Sequence, residues 1–453
     1  MNPIEIKIHL RTPVWTGGID GPSKNLKISG IIGGMREAFE MLVRKAGGHT
    51  CDITGPADHR CNYERDRRIC PACQLFGCTG LSRAFNMCFE PGLEIRKIVV
   101  PESDPKIHNR PHYTAADWNN GKINTDLKKR FRLINNHVEY NQSCSTDTWL
   151  AGCLGLQMPN KQGQPGLPPP HAHQEAQTWL SNHVNVFFSS QPIQLKFVPL
   201  RPLSADLSGG DLAAILRHLL RFMSQYSGLG AKVRQGWGVF ELENDTDTER
   251  KEKDVEIFRR FVSSSHFQHN EWDKGHPNAA DCFSAEWELN SQNLGFTWPQ
   301  NLKNQSDPYR QTGFAMNYRL RRHIKFYEVD SGNKIPVGAG WRGLGGGAPW
   351  NRVPWKEAIG FVRAVFGRDN AGDTDKHAGL VGTSHLYHKE GKWYVRFFGR
   401  IPDAYEYPGN GELSWDANQV RNFLIEQMTS LLTKEQAVAT DSKPKILTGG
   451  NGS

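Results

Sequence analysis

Ile4, Ile6, Ile8 and Leu10 alternate with Glu5, Lys7 and His9, the period of two expected of a half-buried strand. A glycine-rich turn, Thr16-Gly17-Gly18-Ile19-Asp20-Gly21-Pro22, ends that strand. From Gly30 the period changes. Ile31, Met35, Phe39, Leu42 and Ala46 recur at helical spacing and mark a core-facing stripe, while Arg36, Glu40 and Arg44 fall four apart on another face. Gly33 and Gly34 weaken this helix intrinsically, which either tight packing on a sheet or backbone access for a ligand explains. Gly47-Gly48 stops it, and the pattern then predicts a hairpin over residues 86–100, closed near Pro91-Gly92.

Ile193, Leu195 and Phe197 predict a second alternating strand, and Leu212, Ile215, Leu216, Leu219, Phe222 and Met223 an amphipathic helix ending at Gly228. The loop from Gly228 to Gly238 returns to a strand at Val239–Leu242. Residues 244–254 are almost wholly polar and charged, and are expected to be a linker between domains. Beyond them the pattern predicts strands at 283–289, 380–388 and 393–399. It predicts helices at 312–327, 353–366 and 415–432, with a glycine-rich insert around Gly345.

The halves repeat an order of parts. A glycine-led helix, Leu75-Phe76-Gly77, Gly80-Leu81-Ser82 and strands in the first correspond to residues 313–325, Val365-Phe366-Gly367, Gly379–Ser384 and strands in the second. Strand, helix, two strands, helix, strand is the order of a ferredoxin-like unit. The expected fold class is therefore α+β, two tandem ferredoxin-like (RRM-like) domains with a small cysteine-rich insertion in the first. The bounds read as 1–243 with its insertion at about 49–78, a linker at 244–254, a second domain at 255–433, and a disordered tail at 434–453.

A length of 453 residues exceeds one ordinary core, in keeping with two domains. No long apolar run suggests a membrane span, and Met1–Leu10 hold no signal-peptide core, so a cytoplasmic protein is expected. Nine cysteines, odd in number and crowded between Cys51 and Cys88, then read as reduced thiols and a metal site rather than disulfides. Cys70 and Cys73 can grip one face of a zinc ion, and Cys51 and Cys61 complete a closed tetrathiolate shell of the structural kind, with His49 and His59 as possible substitutes. A net charge of +8 permits a nucleic-acid partner, and 45 glycines and 13 tryptophans add close backbone approach and stacking surfaces.

Several of these stretches resemble one family. Thr12-Pro13-Val14-Trp15-Thr16-Gly17-Gly18-Ile19-Asp20-Gly21 is similar to the opening of the RAMP superfamily proteins of CRISPR systems. Ile28-Ser29-Gly30-Ile31-Ile32-Gly33-Gly34-Met35-Arg36-Glu37 is similar to their arginine-presenting helix, with Ala38 and Phe39 where many relatives carry tryptophan. Cys73-Gln74-Leu75-Phe76-Gly77-Cys78-Thr79-Gly80 and the glycine-rich loop Gly228-Leu229-Gly230-Ala231-Lys232 complete the likeness. It is nearest to the first RAMP subunit of type III-B (Cmr) effector complexes. The resemblance implies a non-catalytic RNA-binding subunit contacting crRNA toward its 3′ end and the paired target RNA. Other RAMP subunits and a large polymerase-like subunit would be its partners.

On that reading Trp15, Arg36, Arg44, Arg83, Lys232 and Arg234 are the expected RNA contacts of the first unit, and Arg319, Arg321 and Arg322 those of the second. Each sits on or beside a glycine-flanked element, where charge and close backbone approach coincide. The alternative is a RAMP endoribonuclease. Asp20 would then act on target RNA or His9 on a guide precursor, although no paired acid or base lies near either in sequence.

Overall fold

The structure, a computed structural model, describes residues 2–17, 24–53, 55–66, 69–98, 184–203, 208–265, 267, 276–290, 379–407, 416–434, 436–439 and 441–449. It also describes the strands at 131–134, 137–140, 309–310 and 411–414 and the single positions 320, 365 and 366. Among these the strands are β1 Ile4–Leu10, β2 Phe85–Glu90, β3 Glu94–Lys97, β4 Phe131–Ile134, β5 His137–Tyr140, β6 Asn185–Phe188, β7 Ile193–Pro199 and β8 Phe240–Leu242. They continue as β9 Cys282–Leu289, β10 Tyr309–Arg310, β11 Val381–Thr383, β12 Leu386–Lys389, β13 Lys392–Arg400, β14 Ala404–Tyr407, β15 Gly411–Ser414 and β16 Lys445–Thr448. The helices are α1 Ile28–Lys45, α2 Tyr63–Asp66, α3 Pro71–Phe76, α4 Gly209–Tyr226, α5 Thr248–Ser264 and α6 Ala417–Lys434.

The first sheet has the order β2-β7-β1-β8, every pairing antiparallel. Strands β1 and β2 therefore run parallel with β7 between them, joined through α1, and β7 and β8 run parallel around β1, joined through α4. Two such split crossovers bury one face of the sheet under α1 and α4. Ile6, Ile8 and Leu10 join Met35, Phe39, Leu216 and Leu219 in one core, while Glu5 and Lys7 point outward. The path β16-β9-β13-β12 in the second sheet is antiparallel throughout and carries α6 between β13 and β16.

The repeat reaches into local hydrogen bonding. Leu75, just before Phe76-Gly77, accepts from the N–H of Ala84, the residue before β2, at 2.9 Å. Val365, just before Phe366-Gly367, accepts from Leu380, the residue before β11, at 2.6 Å.

Four expectations are corrected. Residues 86–100 are no hairpin, because β2 pairs with β7 and β3 with β6. The charged run 244–254 is a turn followed by the first turns of α5, capped by the Asp247 side chain on the Arg250 N–H. Its polar look comes from one face only, since Ile257, Phe258, Phe261 and Val262 are buried in the first core. Arg217 and Arg221 of α4 clasp Asp254 at 2.6 and 3.2 Å, so α5 belongs to the first unit and links nothing flexible. The tail holds β16, whose Lys445–Thr448 pair in register with Glu286–Phe283 of β9. The strand expected over 380–388 breaks at Ser384-His385 into β11 and β12.

The units meet through the loop 228–238. The N–H of His385 donates to the Gly236 carbonyl at 3.3 Å, and a Cβ added at Gly382 would stand 2.2 Å from the Arg234 backbone. Beside this seam lies a largely half-buried ionic chain. Glu241 of β8 takes Arg11 at 2.6 Å and Lys389 at 2.9 Å, and Arg396 takes Glu286 at 2.8 Å. Tyr387 closes the chain on Glu286. Burial alone would raise the Glu241 carboxyl, but Arg11 and Lys389 hold it below its usual range.

Candidate functional site

The cysteine segment is built around α3. Cys70 caps this helix, its sulfur accepting from the Cys73 N–H at 3.4 Å, with Pro71 at the first helical position, where a missing N–H costs nothing. The Cys70 N–H in turn donates to the Cys61 sulfur at 3.4 Å. Cys51 arrives from the chain after α1, where Gly47 takes a positive φ of 79° and turns it back.

Cys51, Cys61, Cys70 and Cys73 thus converge, all buried, with their sulfurs within 4.8 Å of one another and those of Cys51 and Cys73 3.5 Å apart. A tetrahedral zinc with bonds of about 2.3 Å needs sulfurs roughly 3.8 Å apart, so the spacing fits a four-thiolate shell. The donor set is complete without His49 or His59, and four thiolates leave no open position for water. Burial pushes the Cys70 thiol well above its ordinary value, so a metal entering here displaces protons that the empty cluster would hold.

Helix α3 is anchored by a run of edge-to-face rings. Phe39 meets Phe76 at 5.6 Å, Phe76 meets Phe85 at 5.8 Å, and Phe85 meets Phe197 at 5.4 Å. Phe39 also packs edge-on against Phe258 of α5. Gly77, at φ 84°, is required at the end of α3, because a Cβ there would stand 2.8 Å from both the Arg83 nitrogen and the Leu81 oxygen.

The expected RNA contacts separate into two groups. Trp15 is fully buried and stands edge-on to Trp237 at 5.3 Å, so it packs the base of the loop and offers no face to a base. Arg36 turns inward to Glu40, the Gly77 carbonyl and the cysteines. Arg44 reaches the Pro277 carbonyl and Thr50 with its side chain 8% exposed. Signs that these two arginines are internal were present in their spacing around Glu40 and their nearness to Cys51.

Arg83, by contrast, is half-buried in the turn before β2, where it holds Asn86 at 3.1 Å. Lys232 and Arg234 lie half-buried in the loop 228–238. Lys232 has a left-handed backbone at φ 56°, its ammonium lies 5.5 Å from the Trp15 ring, and burial lowers its pKa to about 8. Arg319, Arg321, Arg322 and Asp20 lie outside the described residues.

Loop and helix form one surface. Gly34 of α1 faces the Gly230 carbonyl at 3.5 Å across from its ideal Cβ position, whereas Gly30 and Gly33 open onto unoccupied space. Gly34 thus packs against the loop 228–238 rather than a sheet, and Gly33 is open. The N-terminus of α1 has no side-chain cap and no acidic residue in its first turn. His9 lies on the outer face of β1, 3.7 Å from Glu243. Sequence reasoning missed that carboxylate because it comes from beyond β8, far along the chain.

Residues 7–133 match the model of the RAMP superfamily, in agreement with the resemblance seen in the sequence motifs. No curated protein matches the chain. Among solved structures, a chain of a type III-B Cmr-beta complex bound to cognate target RNA and AMPPnP aligns over 94% of this chain and 99% of its own. Its identity is 10% and its TM-score 0.38. Cmr1 from Pyrococcus furiosus aligns over 93% and 97% at 9% identity, with a TM-score of 0.37. These alignments are long but loose. Among the described residues no helix is long and apolar enough to cross a membrane.

Proposed function

We propose that this chain is a non-catalytic RNA-binding subunit of a type III-B CRISPR effector complex. It contacts the crRNA toward its 3′ end and the paired target RNA, beside other RAMP subunits and the large polymerase-like subunit. The observation that carries the reading is the RAMP match over residues 7–133, which covers the motifs of α1 and the cysteine segment.

The surface formed by α1 and the loop 228–238 supports it. Uncapped N–H groups at the start of α1 and the side-chain-free faces of Gly30 and Gly33 let a phosphate backbone approach closely, with Lys232 and Arg234 supplying charge nearby. The matching strand orders of the two sheets support a tandem ferredoxin-like arrangement. The cysteine spacing supports structural zinc, which would hold residues 51–73 against α1 when bound.

The test incubates purified protein with labelled guide-length RNA and its complement, with and without divalent metal. Binding that weakens steeply with salt and leaves the RNA intact is expected. Metal-dependent cleavage lost in Asp20→Ala, or metal-independent cleavage lost in His9→Ala, would overturn the non-catalytic reading.

A further inference from the structure

Arg36 is expected at first sight to meet RNA, yet each edge of its guanidinium is directed into the protein. Nη2 lies 3.1 Å from the Cys73 sulfur and 3.7 Å from that of Cys51. Nη1 donates to the Gly77 carbonyl at 2.9 Å, and Nε to Glu40 at 2.9 Å. One planar group therefore ties α1 to the thiols and to the turn that closes α3.

We propose that Arg36 is a positioning residue of the cysteine metal site, donating to the sulfurs of Cys73 and Cys51 and offsetting their charge when metal is bound. The inference rests on the four cysteines being a metal site. Four thiolates around a divalent cation carry a net double negative charge, and all four are buried, where uncompensated charge is costly. A guanidinium against two of the sulfurs lowers that cost, and its fixed fork also sets where they sit. Lysine could supply the charge, but its compact ammonium lacks the rigid planar fork that reaches these separated partners at once. Glu40, held by Arg36 and 4.0 Å from Arg44, orients the fork from within α1. Metal occupancy and the seating of α1 on α3 are coupled through this one side chain.

The experiment is a cobalt(II) titration of the full-length protein, read by the thiolate-to-cobalt charge-transfer absorption and in competition with a chelator. The wild type should take up one cobalt per chain. Arg36→Gln should bind about 10–100-fold more weakly, the range typical when a group supporting a metal ligand is removed, with Arg36→Lys between them. The charge-transfer band should move to lower energy in Arg36→Gln, because a sulfur relieved of its hydrogen bond is a better electron donor. Loss of stability alone would not move that band. Affinity within twofold of wild type and an unmoved band would overturn the role of Arg36. A wild type with no charge-transfer band would instead overturn the metal site itself. If Arg36→Gln fails to fold, Arg36→Lys carries the same comparison.

Discussion

His385, at the break between β11 and β12, stands edge-on to Trp237 with ring centroids 4.3 Å apart and planes at 88°. Trp237 belongs to the loop 228–238 of the first unit and meets Trp15 on its other side. Three buried rings therefore join the segment that follows β1, the glycine-rich loop and the second sheet. The loop that carries Lys232 and Arg234 is shaped by both units.

Trp237→Ala should accordingly destabilise the protein by about 3–5 kcal/mol, the usual cost of emptying a buried aromatic site. Urea unfolding monitored by circular dichroism checks this. Unchanged stability would mean that the ring is not a packing element.

Burial lowers the His385 pKa to about 3, and burial together with nearby Arg221 lowers that of His218 to about 4. Each stays neutral when folded but takes a proton when unfolded below its ordinary value near 6.5. Their contribution is complete above that pH and is lost as pH falls toward 4. Each should cost about 1.4 kcal/mol per pH unit in that window. Urea midpoints at pH 7.5, 5.5 and 4.5 should fall accordingly. His218→Gln should flatten the fall, and an equal slope in the variant would refute its part.

Lys232, with its pKa near 8, should lose its charge as pH rises from 7 to 9. RNA affinity at constant salt is expected to drop over that range, and Lys232→Arg to abolish the drop. Replacing both Lys232 and Arg234 by alanine should weaken binding irrespective of RNA sequence and make the salt dependence shallower by about two ions. A pH-independent wild-type affinity would remove Lys232 from the proposed RNA surface.

Much of this fold was legible in local pattern. Strands β1, β7 and β9 and helices α1, α4 and α6 each carry a clear period, and the grouping of Cys51 and Cys61 with Cys70 and Cys73 was anticipated from the cysteine pattern. What escaped was long-range or double-faced. The charges of Thr248–Ser264 hid a buried aromatic stripe, and the pairing of β2 with β7 rather than β3 cannot be read from either strand alone. Arg36 and Arg44 look like surface cations until the carboxylate between them and the thiols beside them are seen to be buried too. The proposed RNA surface of α1 and the loop 228–238 was half legible. Its glycines and loop cations were recognisable, but the burial of Trp15 depends on a partner more than two hundred positions away.

Removal of the cysteine site provides a further measurement. Cys73→Ser should reduce bound metal from about one per chain toward zero and lower the thermal midpoint by several degrees, since a domain of this size shifts roughly 2–4 °C per kcal/mol. Chelation of the wild type should reproduce the shift, and chelation of Cys73→Ser should add nothing. A variant that retains full metal content would exclude Cys73 as a ligand.

β16 makes a prediction of its own. Leu447→Pro removes an N–H from a strand in register with β9 and should destabilise the second sheet by about 3 kcal/mol, with faster proteolysis around β9. Unchanged protease resistance would mean that this strand contributes nothing to the sheet.

The register of β1 bears on how the chain reaches this state. Ile4 pairs with Phe197 and Ile8 with Leu242, so both neighbours of the central strand are made long after it. Closing such distant contacts sacrifices chain entropy before any pairing energy returns, which places folding on the slow side of the topological range. During synthesis β1 must wait, one edge unsatisfied until β7 and the other until Leu242 has emerged, and the aromatic face of α5 arrives later still. A fragment of the first unit that stops short of Ser264 would leave that interval permanently open, and it is as an aggregating species, rather than as a weak binder, that such a fragment should reveal itself.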